Sequence, residues 1–133
     1  MTTKINYATI SEFDKDFKRL GKRFKTLNKD FELMQRMLLE PHYISGQPTP
    51  PKALIDIEGF CSERYKSKKV RKFACASLKG KGGNSGIRVI FVYEKHEDTH
   101  NITFIEIYFK GDKANEDRER LADFLSKIQK CEC

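Results

Sequence analysis

An α+β fold in the order β-α-α-β-β-β-α, a helical hairpin packed on a small antiparallel sheet, is what this sequence predicts. Three observations carry that expectation. Apolar residues recur at helical spacing between positions 11 and 40. Three segments from residue 72 to 109 are rich in β-branched, aromatic or small apolar residues. A final amphipathic stretch then returns to helical spacing.

The first element is a short strand over Asn6–Ile10. Ser11 reads as the N-cap of a helix, with Asp14 three residues on completing a variant capping box. Phe13, Phe17, Leu20 and Phe24 form its apolar stripe, and Gly21 suggests a break nearby. A second helix starts near Thr26, buries Leu27, Phe31, Met34, Met37 and Leu38, and is expected to stop at Pro41. All four prolines lie in 41–51, so 41–60 reads as a loop or extended crossing. Together with the basic stretch Glu63–Lys72 it forms a Pro-rich, basic insert at about 41–71 of a single 1–133 domain.

The expected strands are Lys72–Leu78, Ile87–Tyr93 and Ile102–Phe109, joined by a Gly-rich link over 79–86 and a turn at Glu97–His100. Asn115 is the expected N-cap of the last helix, whose stripe is Leu121, Phe124, Leu125 and Ile128. Phe17, Phe31, Val89, Phe91, Ile105 and Leu125 should be buried.

Composition narrows the function. The net charge is +7 and is uneven: residues 41–93 carry +7, while 94–133 carry −3. A clustered basic surface attracts polyanions, of which nucleic acid is the common one in a cytoplasm. No run approaches the roughly 20 apolar residues of a membrane span, and no secretory leader opens the chain, so a cytoplasmic protein is expected. Cys61, Cys75, Cys131 and Cys133 include no C-x-x-C pair, and with three histidines they build no metal site. The spacing of Gly80, Gly82 and Gly83 is not that of a nucleotide-binding loop, because a strand follows it rather than a helix. No metal and no small-molecule cofactor are expected.

Lys79, Lys81, Arg88 and Lys110 are the candidate catalytic group, and Lys68, Lys69, Arg71 and Lys72 the candidate RNA-binding group. Arg88 is the one charge in an otherwise apolar strand. Alternation places Ile87, Val89, Phe91 and Tyr93 on one face and Arg88, Ile90 and Val92 on the other. Arg88 either pairs with Glu106, equally isolated on the next strand, or grips a phosphate with its bidentate fork. Arginine and lysine can stabilise the charge that develops when a 2′-hydroxyl attacks the neighbouring phosphate.

Three segments resemble the RelE/ParE toxin family. Phe13-x-x-x-Phe17-Lys18-Arg19-Leu20-x-Lys22-Arg23-Phe24 resembles its opening helix. Ser85-Gly86-Ile87-Arg88-Val89-Ile90-Phe91-Val92-Tyr93 is similar to its Gly-x-Arg-[Leu/Val]-x-Tyr strand. Ile105-Glu106-Ile107-Tyr108-Phe109-Lys110-Gly111-Asp112 resembles the strand that follows. The resemblance implies a ribosome-dependent endoribonuclease acting on mRNA, paired with a small antitoxin protein. It implies that Arg88 binds the scissile phosphate, that Lys79 and Lys81 precede it, and that Lys110 ends the next strand. The aromatic or histidine residues that such members carry near the C-terminus are not matched: Phe124 is the only aromatic after Phe109, which turns attention to Tyr108. The same family includes gyrase poisons, and a non-catalytic RNA- or antitoxin-binding module is a third reading.

Overall fold

The computed structural model describes residues 4–78, 80 and 84–130. The chain is α+β. Strand β1 (Lys4–Thr9) leads into helix α1 (Ser11–Arg23) and helix α2 (Leu27–Met34). A π-helical turn over Gln35–Leu39 continues directly into α3 (Glu40–Ser45). Strands β2 (Leu54–Cys61), β3 (Tyr65–Val70), β4 (Ile87–His96) and β5 (Thr99–Phe109) follow, then helix α4 (Arg118–Lys130). The described strands form one sheet in the order β1-β5-β4-β3-β2.

The sheet is mixed, which corrects the antiparallel expectation. Strands β2 to β5 are antiparallel to their neighbours, but β1 pairs in parallel with β5 from Lys4↔Thr99 to Thr9↔Phe104. The helical hairpin carries the chain from β1 across one face, so the edge next to β5 is filled by a strand already made.

The expected strand Lys72–Leu78 is not formed; within it Phe73 makes one isolated bridge to Asn84. Its backbone groups find side chains at the start of α2 instead of a ladder. The Ala76 N–H donates to Asp30 Oδ2 at 3.1 Å and the Ser77 N–H to Thr26 Oγ1 at 2.9 Å. Cys75 is buried there, in irregular chain rather than on a strand. The strands lie earlier, at β2 and β3, in the segment expected to be loop and insert.

The helices also differ at their ends. Pro41 does not stop the helix; it stands in the first turn of α3, where a missing N–H costs nothing. The preceding π turn, in which the Glu40 N–H reaches the Gln35 carbonyl, resets the hydrogen-bond ladder before the proline. Gly46, at φ 69°, ends the run. Ser11 is the first helical residue of α1 rather than its cap, and its hydroxyl donates to Glu12 Oε1. Asp117, not Asn115, caps α4: its Oδ1 accepts the Arg120 N–H at 3.0 Å.

Two apolar layers flank the sheet. On one face α1, α2 and the π turn cover Ile87, Val89, Phe91, Phe104 and Ile107. The ring of Phe104 lies 5.6 Å from that of Phe13 and 4.8 Å from that of Phe31. Of the six residues expected to be buried, five are, and Phe17 is half-buried against the same cluster. On the other face Leu121 and Leu125 of α4 cover Ile90, Val92, Ile105 and Tyr108.

A β-bulge sets the second face. Ile90 pairs with Glu106 and Phe91 with Phe104, so Ile105 is an extra residue in β5. Phe104 and Ile107 both face the helical hairpin, while Ile105 joins the α4 side. Glu106 and Tyr108 are thereby delivered to the face that carries Arg88.

A candidate anion site at one end of the sheet

Strand β3 ends at Val70, β4 begins at Ile87 and β5 ends at Phe109, so three strand termini meet at one end of the sheet. Arg71, Arg88 and Lys110 stand at that end and Lys113 follows β5, whereas Lys72 lines an apolar pocket with Met34, Phe73 and Leu78. Arg71 immediately follows β3, and its N–H is tied to the Ala53 carbonyl at 2.8 Å. Arg88 is paired across the ladder with Tyr108. Lys110 is one step past the last ladder pair, its N–H on the Gly86 carbonyl at 2.8 Å and its side chain exposed.

Arg88 does not pair with Glu106. Its Nη1 donates to the Arg71 carbonyl at 2.8 Å and, at 3.4 Å, to the Ile87 carbonyl. Among the described residues its guanidinium meets no carboxylate, so Nε and Nη2 keep their N–H groups for a ligand. Burial lowers the pKa of this arginine from its ordinary value, and the neighbouring charge of Arg71 adds to the effect. It nevertheless stays a cation, because so basic a group has no neutral form in the working pH range.

Glu106 is engaged elsewhere. Its carboxylate, only 3 % exposed, forms an ion pair with the Lys113 amine. Its Oε1 also accepts the Asp117 N–H at 2.7 Å. The Lys113 nitrogen sits 5.3 Å from the centre of the Tyr108 ring. Burial, then Glu116 and Glu106, push the Tyr108 phenol up to about 12, against a smaller opposite pull from Arg88 and Arg71. Tyr108 therefore remains a neutral hydroxyl at physiological pH.

The expected RNA-binding group is divided. Lys68 and Lys69 are consecutive on β3 and so face opposite sides of the sheet. Lys68 is ion-paired with Asp56, its cross-strand neighbour on β2. Lys69 lies 2.6 Å from Glu116, which also pairs with Arg118 at 3.4 Å. Burial raises the Glu116 pKa, but Lys69 and Arg118 outweigh it and hold the carboxyl below its ordinary value. Arg71 and Lys72 are exposed. Lys79 and Lys81 lie outside the described residues.

Lys113 is absent from the sequence-based candidates, and its only sequence signal is its place in the polar segment 110–117, three residues after Lys110. Compared with protein-family models, curated proteins and solved structures, the chain matches none.

Proposed function

We propose that this chain is a RelE-like toxin of the cytoplasm, an endoribonuclease that cuts mRNA on the ribosome and is held in check by a small antitoxin protein. The observation that carries the reading is the pair Arg71 and Arg88, side by side at one sheet end, with the Arg88 fork free of any carboxylate among the described residues. A bidentate guanidinium on a half-open surface is suited to a phosphodiester. The helical hairpin on one face and the single helix on the other support the same reading.

In this mechanism the 2′-hydroxyl gives up its proton to solvent water as its oxygen attacks the adjacent phosphorus, the bond to the 5′-oxygen breaks, and a 2′,3′-cyclic phosphate results. Arg88, backed by Arg71, binds the non-bridging oxygens as they gain charge. The ammonium of Lys110 gives a proton to the departing 5′-oxygen. Tyr108, too weakly acidic to ionise, is the ladder partner of Arg88 and holds that part of the site.

The test is cleavage of mRNA on stalled ribosomes, run beside thermal melts, for the parent, Arg88→Ala and Arg88→Lys. Arg88→Ala should lose about 10²–10³ in rate while melting close to the parent. Arg88→Lys should recover little, since an ammonium lacks the fork. A parent that leaves mRNA intact but inhibits DNA supercoiling would make the chain a gyrase poison. A parent that does neither would leave a binding module.

A further inference from the structure

We propose that Lys113 is a further phosphate ligand of this site, parked on Glu106 when no RNA is bound, and that Glu106 is its positioning residue. The proposal rests on the reading of the surface around Arg88 as an RNA site.

Three observations carry it. Glu106 is an acidic side chain 2 % exposed within the apolar run Phe104–Phe109 of β5, a placement that needs a reason. The bulge at Ile105 puts it on the face of Arg88, two residues from the Arg88–Tyr108 pair, yet it takes Lys113 as counterion and leaves Arg88 without a carboxylate among the described residues. Its second oxygen holds the Asp117 N–H, so one carboxylate anchors both Lys113 and the cap of α4. The irregular segment between β5 and α4 is thus fastened over the end of the sheet.

Lys113 itself remains accessible: its side chain is 42 % exposed, while the Glu106 carboxylate beneath is 3 % exposed. Its amine lies over the Tyr108 ring, 5.3 Å from the centre, and Tyr108 is the ladder partner of Arg88. A phosphate gripped by Arg88 would meet this amine across the Tyr108 ring. A lysine is a compact point charge on a flexible stem, suited to moving from a carboxylate to a phosphate. When it moves, Glu106 retains the Asp117 N–H, so the segment stays in place.

The experiment measures binding of a short 2′-O-methyl RNA, which lacks the nucleophilic hydroxyl and is not cut, by fluorescence anisotropy across a salt series. Lys113→Met should weaken binding about tenfold at low salt and reduce the slope of log affinity against log salt by about 0.7, the single-strand value for one phosphate contact. Lys113→Arg should restore most of both. Because Lys113→Met strands the Glu106 carboxylate, the Lys113→Met/Glu106→Gln double variant is measured too, and it should show the same loss of slope. Parental affinity and slope in the double variant would overturn the proposal. If the parent binds, Arg88→Ala does not, and both Lys113 variants match the parent, this inference fails and the RNA reading stands. If the parent does not bind the oligonucleotide at all, both fall together.

Discussion

Arg120 fastens α4 to the body of the protein, and removing it should be costly. Its Nη1 lies 2.6 Å from Asp16 Oδ2 on α1 and donates to the Ile105 carbonyl at 3.1 Å. The pair is mostly out of water, with side-chain exposures of 18 % for Arg120 and 6 % for Asp16. Burial alone would lower the arginine pKa, but Asp16 outweighs it and the net shift is upward. Arg120→Ala leaves Asp16 with the exposed Arg19 at 3.1 Å as its remaining cation. Breaking a buried pair costs about 3–5 kcal/mol, and the retained Arg19 places this case near the lower end. Stranding the Ile105 carbonyl adds roughly 1 kcal/mol. The sum, about 4 kcal/mol, corresponds to a melting temperature lower by about 15 °C for a chain of this length. Urea denaturation at pH 7 of Arg120→Ala, Asp16→Asn and the Arg120→Met/Asp16→Asn double variant measures it. The double variant should be more stable than Arg120→Ala, because no charge is left buried. A loss under 1 kcal/mol in Arg120→Ala would refute the reasoning and make the ion pair a surface contact in effect.

Two further outcomes follow from single residues. His100 is 6 % exposed and bonded through Nδ1 to the Tyr93 hydroxyl at 2.5 Å, and burial, then Lys95, lowers its pKa below the ordinary 6.5. Its contribution is present above pH 6.5 and lost as the pH falls through the lower folded value, because the unfolded chain takes up the proton first. Urea midpoints should therefore drop between about pH 7.5 and 5.5 in the parent and change less in His100→Gln; equal slopes would sink the idea. Gly86 opens β4 at φ 89°, and a Cβ there would meet the Phe109 ring at 3.2 Å. Gly86→Ala should cost about 1–2 kcal/mol of backbone strain plus the clash. Gly59, at the same φ but in open space, gives the strain alone, so equal losses from the two alanine variants would rule out the contact with Phe109.

What the sequence reveals of this fold follows its local signals. Ile87–Tyr93 and Ile102–Phe109 announce themselves through dense β-branched and aromatic residues, and both are strands. The Phe13–Phe31 periodicity marks the helical hairpin, whose buried rings meet Phe104. Strand β3 is hidden because Tyr65-Lys66-Ser67-Lys68-Lys69-Val70 reads as a solvated basic stretch. The carboxylates that neutralise it, Asp56 and Glu116, are remote from it or on another element. The false strand at 72–78 has the opposite cause: its apolar residues pack, but its backbone is satisfied by Asp30 and Thr26 rather than by a ladder. Strand direction is not a local property at all, so the parallel pairing of β1 with β5 leaves no trace in either segment. Arg88 and Glu106 are both legible as isolated charges, whereas the partner of Glu106 is not, because it pairs with Lys113, beyond the strand end.

The bulge at Ile105 is where fold and site become one problem. Strict alternation along β5 would put Ile102, Phe104, Glu106 and Tyr108 on a common face, the face that packs against Phe13 and Phe31. A carboxylate there would be surrounded by rings and have no cation within reach. One extra residue moves Glu106 and Tyr108 to the opposite face while Ile107 returns to the core with Val89. The bulge leaves Ile105 outside the ladder, and Arg120 supplies the hydrogen bond its carbonyl needs. The same guanidinium binds Asp16, so the residue that satisfies the bulge also seats α4. The cap of α4 is then tied to Glu106, and Glu106 holds Lys113 above Tyr108. Each step depends on the one before it, and an apolar strand with regular alternation could support none of them. The irregularity in β5 is therefore the feature that lets one sheet bury an aromatic core on one side and present, on the other, an arginine that meets no carboxylate among the described residues.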